Sequence, residues 1–145
     1  MKINIKKLND KATLPTYGSE LAAGCDLYAC LDAEATINQG QTLLVKTGLA
    51  IELPVGYAAF IYARSGLASK KGLAPANKVG VIDCDYRGEI MVALHNHSDK
   101  PQTILPNERI AQMVIAPYIT AEFNLVDELS STERGQGGFG STGRN

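Results

Sequence analysis

The sequence GVIDCDYRGEI, residues 80–90, joins two apolar runs through a charged centre. Valine and isoleucine flank this centre, and Gly88 can adopt the positive φ that a reversing chain often needs. The pattern predicts a β-hairpin. Alternate residues of an extended segment share one face, and here that face would carry Asp83, Asp85, Arg87 and Glu89. The face could be a solvated polar turn or part of a ligand site. Tyr86 favours a ligand site, because an aromatic side chain in a turn has no core to reach.

Composition and charge limit the possible classes of protein. A chain of 145 residues, of which 45% are hydrophobic, can form one globular domain with a real core. The net charge of -1 gives no sign of a basic surface, so we expect no nucleic-acid partner. No apolar run approaches the roughly 18 residues that span a bilayer, and the N-terminus lacks the apolar segment of a signal peptide. We therefore expect a cytoplasmic protein without a membrane partner, in which the three cysteines are free thiols.

Short segments with alternating or β-branched apolar residues recur along the chain, separated by turn signals about every eight to twelve residues. This spacing predicts an all-β sandwich or barrel. The expected strands cover residues 1–7, 22–29, 35–37, 42–46, 49–53, 56–63, 91–94, 101–105, 108–116 and 121–126. The first strand should be half-buried, and the turn at residues 38–40 should join its two neighbouring strands as a hairpin.

One short helix is expected over residues 64–71, where Ser65 can cap the N-terminus and Gly72 stops the helix. A helix N-terminus presents free backbone N–H groups, and Arg64 adds a full positive charge beside them. This arrangement suits an anion, above all a phosphate. A surface helix with a flanking arginine is the simpler alternative.

Other polar residues fall on strands, and each has a structural alternative. Asp26 could be an ordinary exposed charge. Gln112 lies in an alternating apolar segment and should share a face with Ile110, so its amide could satisfy a buried backbone group. His95 and His97 would share one face of a strand. No third ligand follows them at a recognisable spacing, so we do not expect a catalytic zinc site there.

The composition changes at Ser130. Residues 130–145 contain five glycines and little apolar surface, so this segment cannot hold itself in place by burial. We expect a core over residues 1–129 and a flexible C-terminal tail over residues 130–145. The tail could be passive. Its single Phe139 and its run of N–H and hydroxyl donors could instead cover a base and surround phosphates.

Five segments of the chain resemble, in order, the five motifs of the homotrimeric dUTPase family (dUTP diphosphatases). They are AGCDLYA at 23–29, RSGLA at 64–68, GVIDCDYRGE at 80–89 preceded by Asn77, RIAQ at 109–112 and RGQGGFGSTG at 134–143. One such motif would be a weak signal, whereas five in order over nearly the whole chain are specific. Cys84 stands where the family more often has a serine, and a small residue is kept there.

The resemblance implies a jelly-roll-like distorted barrel that assembles as a homotrimer, with each active site shared between subunits. It also implies hydrolysis of dUTP to dUMP and pyrophosphate, with Mg²⁺ as the cofactor. In the family this reaction limits uracil incorporation into DNA and supplies dUMP for dTMP synthesis.

The same resemblance implies roles for individual residues. Asp83 would be the catalytic base that holds the attacking water. Asp26 would lie near Mg²⁺ through a water molecule, while the triphosphate holds most of the metal. Tyr86 would pack under the deoxyribose, and Phe139 would stack on uracil. The other substrate-binding residues would be Arg64, Ser65, Gly66, Asn77, Gly80, Val81, Ile82, Met91, Gln112, Arg134, Gly140, Ser141 and Thr142.

Two alternatives remain at this point. A dCTP deaminase is a related enzyme of the same fold, but the YRGE segment and the glycine-rich tail with its phenylalanine favour a dUTPase. A nucleotide-binding regulator could use the fold without turnover, although the intact Asp83 argues against lost catalysis. Pyrophosphate release, ammonia release and binding without turnover separate the three functions.

Overall fold

A computed structural model describes residues 1–138, which form twelve strands and one short helix. The elements are β1 (Asn4–Lys7), β2 (Thr16–Tyr17), β3 (Cys25–Tyr28), β4 (Ala35–Ile37), β5 (Thr42–Lys46), β6 (Leu49–Glu52), β7 (Tyr57–Tyr62), α1 (Ser65–Lys71), β8 (Leu73–Pro75), β9 (Gly80–Ile82), β10 (Met91–Asn96), β11 (Gln102–Ile104) and β12 (Arg109–Pro117). None of the described residues forms a helix that is both long and apolar enough to cross a membrane.

The strands form four antiparallel sheets. The largest has the order β2-β3-β12-β7-β9, and a three-stranded sheet has the order β5-β10-β8. The pairs β1-β6 and β4-β11 complete the set. The expected all-β fold with one short helix is confirmed, but the four sheets do not close into one continuous barrel within residues 1–138.

The core lies between the two larger sheets, which pack where β10 meets β12 and where β7 meets β8. In β3, Cys25 and Leu27 are buried, whereas Asp26 and Tyr28 are only partly covered on the opposite face. Burial of each large aliphatic side chain stabilises the fold by about 1.5–3 kcal/mol. A shift by one residue would expose Cys25 and Leu27 and lose this stabilisation, so the alternation of β3 fixes its register. The same alternation directs the Asp26 carboxylate away from the core.

Helix α1 occupies the expected position but begins differently. Arg64, with extended backbone angles, is its N-cap, and no side chain caps the first turn. Ser65 is the first helical residue, so the prediction that Ser65 caps the helix is wrong. Gly72 ends the helix with a left-handed φ of 65°, as expected, because glycine adopts this conformation without a steric penalty. Leu67 is buried and attaches the helix to the core.

Both predicted hairpins are wrong in their pairing. β9 pairs with β7, whereas β10 pairs with β5 and β8, so residues 80–90 connect two different sheets. In the same way β4 pairs with β11 and not with β5. Turn residues specify that the chain reverses. The partner of the strand that follows the turn is determined by long-range packing. A local sequence pattern carries no information about that packing.

Two expected strands differ at the ends of the chain. All four residues of β1 are exposed in this single chain, so the prediction of a half-buried strand is wrong for Ile5, whereas Ile3, just before β1, is partly buried and packs against the core. Residues 121–126 form no strand, and the side chains of residues 118–134 are exposed. Their alternation of apolar residues satisfies the local pattern for a strand. No neighbouring strand within residues 1–138 pairs with them.

Candidate active site

A pocket of about 300 Å³ lies where β9 and its following turn meet β10. It gathers residues that the sequence predicted as a group, namely Asn77, Gly80, Val81, Ile82, Asp83, Tyr86 and Met91. Further lining residues that sequence reasoning missed are Leu44, Ile61, Pro75, Glu89, Ile90, Val92 and Ala93. Most of the missed residues are apolar strand residues, which resemble ordinary core residues in sequence. We call this cavity the β9 pocket.

The turn after β9 is held by its own arginine. The Arg87 guanidinium donates to the carbonyl oxygens of Cys84 at 2.7 Å and Tyr86 at 3.1 Å. The Tyr86 N–H donates to the Asp83 carbonyl oxygen at 3.2 Å. Arg87 therefore folds back over the turn, and the expected common face of four alternating charges does not exist. The expectation failed because this segment is a turn and not an extended strand.

Gly88 has a different role from the one expected. Positive φ angles among the described glycines occur at Gly40, Gly48, Gly56, Gly72 and Gly135, and Gly88 is not among them. A Cβ atom at Gly88 would instead collide with the Tyr86 ring. The Tyr86 hydroxyl donates to the Glu89 carbonyl oxygen at 3.0 Å. Gly88 thus gives the aromatic ring room to lie against the turn, with Asp83 exposed at the rim of the pocket.

β9 is the last strand of its sheet and pairs only with β7. An edge strand carries backbone N–H and C=O groups that no neighbouring strand uses. At Gly80, a Cβ atom would lie 3.2 Å from Ile61 Cβ and 3.4 Å from Asn77 Nδ2. The absence of a side chain there lets the Asn77 amide lie beside the strand. The β9 pocket therefore offers fixed backbone donors and acceptors next to one amide side chain.

Cys84 follows Asp83 and contacts the segment after β12. Its thiol sulfur lies 3.5 Å from the Tyr118 hydroxyl, and this hydrogen bond raises the pKa of Tyr118. The Tyr118 N–H donates to the Gly56 carbonyl oxygen at 3.0 Å. The first residue of the exposed C-terminal segment is thus attached beside the turn that carries Asp83.

A second group of predicted residues surrounds Asp26. Its Oδ1 accepts a hydrogen bond from Arg64 Nε at 2.7 Å, and its Oδ2 accepts one from Arg109 Nη1 at 3.3 Å. The Asp26 side chain is only 13% exposed and that of Arg64 26%. The interpretation of Asp26 as an ordinary exposed charge is therefore wrong. We call Asp26, Arg64, Arg109 and Gln112 the arginine cluster.

Arg109 was not among the predicted site residues, and a β-bulge explains why. Gln112 pairs with Asp26 across β12 and β3, but the register shifts so that Arg109 pairs with Tyr28. An extra residue in one strand turns the following side chains to the other face. The bulge brings Arg109 to the face of Asp26, and it leaves Ile110 and Ala111 both buried. The sequence did offer one signal for Arg109, because it is the first residue of the RIAQ segment that resembles a family motif.

Gln112 satisfies a backbone group and also faces the cluster. Its Nε2 donates to the Ala63 carbonyl oxygen at 2.8 Å, immediately before Arg64 in the chain. A Cβ atom at Gly24 would lie 2.8 Å from Gln112 Oε1, so Gly24 leaves room for the amide. The structural alternative for Gln112 is therefore confirmed. One N–H of its amide group remains for another acceptor.

The two parts of the site are separated along one sheet. Asp26 pairs with Gln112, which pairs with Tyr62 on β7, and the neighbouring Ile61 pairs with Gly80 on β9. Three strand spacings of about 4.8 Å place the Asp26 backbone about 14 Å from that of β9, and Gln112 on β12 lies two spacings from β9. Within one chain, the pocket and the cluster are thus distinct surfaces.

The remaining predicted residues lie outside both groups. Ser65 and Gly66 are exposed in the first turn of α1, next to Arg64. Arg134 donates locally from Nε to the Gly137 carbonyl oxygen at 2.8 Å and lines neither the pocket nor the cluster. The predictions for four tail residues fall outside the described part of the chain: Phe139, Gly140, Ser141 and Thr142.

The described residues contain no preassembled cluster of metal ligands. His95 and His97 have ring centroids 4.4 Å apart, but no three His, Cys, Asp or Glu side chains converge on one point within residues 1–138. Each carboxylate oxygen of Asp26 accepts one arginine hydrogen bond and retains a further lone pair. Asp26 can accept a hydrogen bond from a metal-bound water. This fits Mg²⁺, which keeps several waters and is often bound through substrate phosphates.

The chain matches the dUTPase family over residues 10–143. It is 59% identical over 136 residues to the deoxyuridine 5'-triphosphate nucleotidohydrolase of Desulfitobacterium hafniense, covering 92% of this chain and 90% of that protein. A solved structure of a Staphylococcus bacteriophage 80alpha dUTPase variant with dUpNHpp has a TM-score of 0.89 and 28% identity, covering 98% of both chains. A dUTPase variant from phage phi11 of S. aureus shares the fold at 22% identity and a TM-score of 0.81, over 90% of this chain and 100% of that one, and its structure coordinates a structural Mg(II) ion. With its motifs and its relatives in agreement, this chain belongs to the dUTPase family.

Proposed function

We propose that this protein hydrolyses dUTP to dUMP and pyrophosphate by attack of water on the α-phosphorus. One observation carries the proposal: residues predicted from a single sequence motif line one pocket of about 300 Å³ with the Asp83 carboxylate at its rim. The reaction limits uracil incorporation into DNA and supplies dUMP for dTMP synthesis.

The edge of β9 suits a base that is read by hydrogen bonds. Its unpaired backbone groups and the Asn77 amide present a fixed order of donors and acceptors along Gly80, Val81 and Ile82. Uracil and cytosine differ in this order at one edge of the ring. Cytosine would therefore leave buried polar groups unsatisfied, which costs about 1–3 kcal/mol for each group. Tyr86 and Met91 form the wall against which the deoxyribose packs.

Asp83 acts as the general base. It is exposed at the end of β9, where its carboxylate can hold a water molecule between the pocket and the phosphates. General base catalysis contributes about 10²–10⁴-fold to the rate. The Arg87 hydrogen bonds hold the backbone of the turn that carries Asp83.

The arginine cluster binds the phosphates. Arg64 uses its Nε to bind Asp26, which leaves N–H groups of its guanidinium for phosphate oxygens, and Ser65 and Gly66 follow Arg64 in the first turn of α1. Gln112 contributes its free N–H. Mg²⁺, held mainly by the triphosphate, supplies further neutralisation of the phosphate charge when it is bound. Asp26 would accept a hydrogen bond from one of its waters.

The protein functions as a homotrimer with shared active sites. Support comes from apolar side chains that are left exposed after β12, where Ile119, Phe123, Leu125 and Leu129 are all at least 89% exposed. Such an exposed apolar segment indicates contact with a partner surface. A core over residues 1–129 then carries an arm, residues 130–145, that closes a site on another subunit with Arg134, Phe139, Gly140, Ser141 and Thr142.

The experiment that tests this function is pyrophosphate release with dUTP, dTTP, dCTP and UTP in the presence of Mg²⁺, with ammonia release measured on the dCTP sample. Turnover confined to dUTP is the expected result. Ammonia from dCTP would identify a deaminase, and tight dUTP binding without turnover would identify a regulator. Sedimentation of the same samples tests the trimer, which a fully active monomer would contradict.

A further inference from the structure

A second ion pair lies at the opposite end of α1 from Arg64. Lys71, the last helical residue, donates from Nζ to Glu108 Oε1 at 2.7 Å and to the Thr103 carbonyl oxygen at 3.1 Å. Glu108 Oε2 accepts the Leu105 N–H at 2.9 Å. The Lys71 and Glu108 side chains are 35% and 22% exposed. The pair is therefore screened by solvent less than a surface ion pair.

The segment that holds Lys71 also reaches the other end of the helix. Arg109 directly follows Glu108, and its carbonyl oxygen lies 3.5 Å from Arg64 Nη1. Its guanidinium donates to Asp26. The Ala29 N–H donates to the Glu108 carbonyl oxygen at 2.8 Å, which anchors this segment to the end of β3. Residues 108 and 109 thus contact both ends of α1.

We infer that the Lys71–Glu108 pair is a positioning element for the phosphate-binding end of α1. The inference rests on the proposed function, in which Arg64, Ser65 and Gly66 contact the phosphates. A seven-residue helix is about 10 Å long, so a tilt of about 6° at its C-terminal end moves its first turn by about 1 Å. A displacement of about 1 Å can reduce catalysis by about 100-fold.

Two contacts besides this pair attach α1 to the rest of the fold. Leu67 is buried in the core, and the Gly72 carbonyl oxygen accepts the His97 N–H at 2.9 Å. Both contacts hold α1 in place when the Lys71 charge is removed. Loss of the pair therefore changes the direction of the helix and leaves the helix itself attached.

The test uses Lys71→Met in the full chain, with Lys70→Met as the matched control. Lys70 is exposed on the same helix and forms no ion pair within residues 1–138. Affinities are measured for dUpNHpp and for dUMP, which lacks the β- and γ-phosphates. We expect Lys71→Met to weaken dUpNHpp binding by about tenfold and to leave dUMP binding within about twofold. Lys71→Arg, which keeps the charge, should restore most of the loss.

A second set of variants tests whether the two residues act as a pair. Glu108→Gln keeps an acceptor for the Leu105 N–H and removes the charge. The double variant with Lys71→Met should weaken dUpNHpp binding no more than the stronger single variant, because residues that form one interaction are not additive. Additive losses would contradict the pair.

Arg64→Met provides the reference for the proposed function. We expect it to weaken dUpNHpp binding and to spare dUMP binding. If Arg64→Met weakens dUpNHpp binding and spares dUMP binding, but Lys71→Met does not weaken dUpNHpp binding, the positioning role is wrong and the phosphate site stands. If Lys71→Met weakens both ligands equally, the pair is merely structural and the inference is wrong. If Arg64→Met leaves both affinities unchanged, the proposed phosphate site is wrong and the positioning role falls with it.

Discussion

The β9 pocket and the arginine cluster are assembled in opposite ways. Most of the polar residues of the pocket come from one continuous segment, residues 77–91, and its shape depends on a turn that its own arginine holds. The cluster joins three separate segments through the charge on Asp26. A pocket built from backbone and shape is suited to reading a base. A cluster built from charged side chains is suited to binding phosphates.

The two regions also differ in how strongly their ion pairs are screened. In the pocket region, Arg87 and Glu52 are 3.4 Å apart and each is 53% exposed. In the cluster, Asp26 and Arg64 are largely covered. Exposed pairs contribute about 0–1 kcal/mol, whereas loss of a hydrogen bond to a covered charged group costs about 1.5–3 kcal/mol. Charge changes should therefore have larger effects at the cluster than at the pocket, except at the reacting carboxylate.

The largest expected effect is at Asp83, the reacting carboxylate. Asp83→Asn keeps the shape of the side chain and removes the proton acceptor, so kcat for dUTP should fall by about 10²–10⁴-fold. Binding of dUpNHpp should be preserved. Asp85→Asn is the matched control, because Asp85 is exposed in the same turn and does not line the pocket. A kcat within a few-fold of wild type for Asp83→Asn would make this residue a structural part of the turn.

Removal of the residues after Leu129 tests whether the pocket and the cluster are sufficient together. No described strand extends beyond Pro117, so circular dichroism and sedimentation should be unchanged. Catalytic efficiency should fall by about 100-fold, the scale of lost positioning and electrostatic contacts. Near-normal turnover would make the arm a passive extension. A dissociated trimer would assign it a structural role.

Asp26→Asn separates charge from shape at the cluster. Arg64 and Arg109 would lose the carboxylate that orients both, at a cost of about 2 kcal/mol, which corresponds to about a 30-fold lower kcat. The affinity for dUpNHpp should change much less, because the lost negative charge favours the phosphates while the lost orientation opposes them. Asp32→Asn, which removes an ion pair between exposed side chains, should leave both quantities unchanged. Equal losses in kcat and affinity would contradict the orienting role.

The contrast between the β9 pocket and the arginine cluster also explains which site residues could be predicted from the sequence. The predicted half of the pocket lining was found because these residues lie in or beside a single motif, whereas apolar residues from other strands, such as Leu44 and Ile61, were missed. Arg109 was missed because its position depends on a bulge in β12. Simple alternation places Arg109 on the face opposite Gln112, and one extra residue reverses that assignment.

Pairing partners were the other failure. The turn between β9 and β10 looked like a hairpin because local residues specify a reversal of the chain. The two strands join different sheets, since each finds its partner among strands that are distant in sequence. The alternating residues 121–126 also satisfy a local strand pattern, but a strand needs a partner, and none pairs with them within residues 1–138.

Tyr86→Ala tests the shape of the pocket at a smaller scale. Loss of the ring should lower the ratio of kcat/KM for dUTP to that for UTP by about tenfold, as expected when one steric contact is removed. Gly88→Ala should lower the same ratio by displacing the ring, because its Cβ atom collides with Tyr86. Turnover of dUTP should fall less than the ratio. An unchanged ratio in both variants would place sugar recognition elsewhere.

The smallest expected effect is at Glu52, the exposed partner of Arg87. A hydrogen bond from Asn4 Nδ2, and secondly the charge of Arg87, lower the pKa of Glu52 from its ordinary value of 4.5. Because the unfolded chain binds this proton more readily, the contribution of Glu52 to stability is fully present above pH 4.5 and is lost as the pH falls through the lowered folded pKa. Glu52→Gln should therefore lower Tm slightly near neutral pH. The difference from wild type should disappear in acid. Thermal unfolding at several pH values measures this difference directly, with kcat for dUTP expected to remain unchanged. A loss of turnover would show that the exposed Arg87–Glu52 pair also orients the turn that carries Asp83.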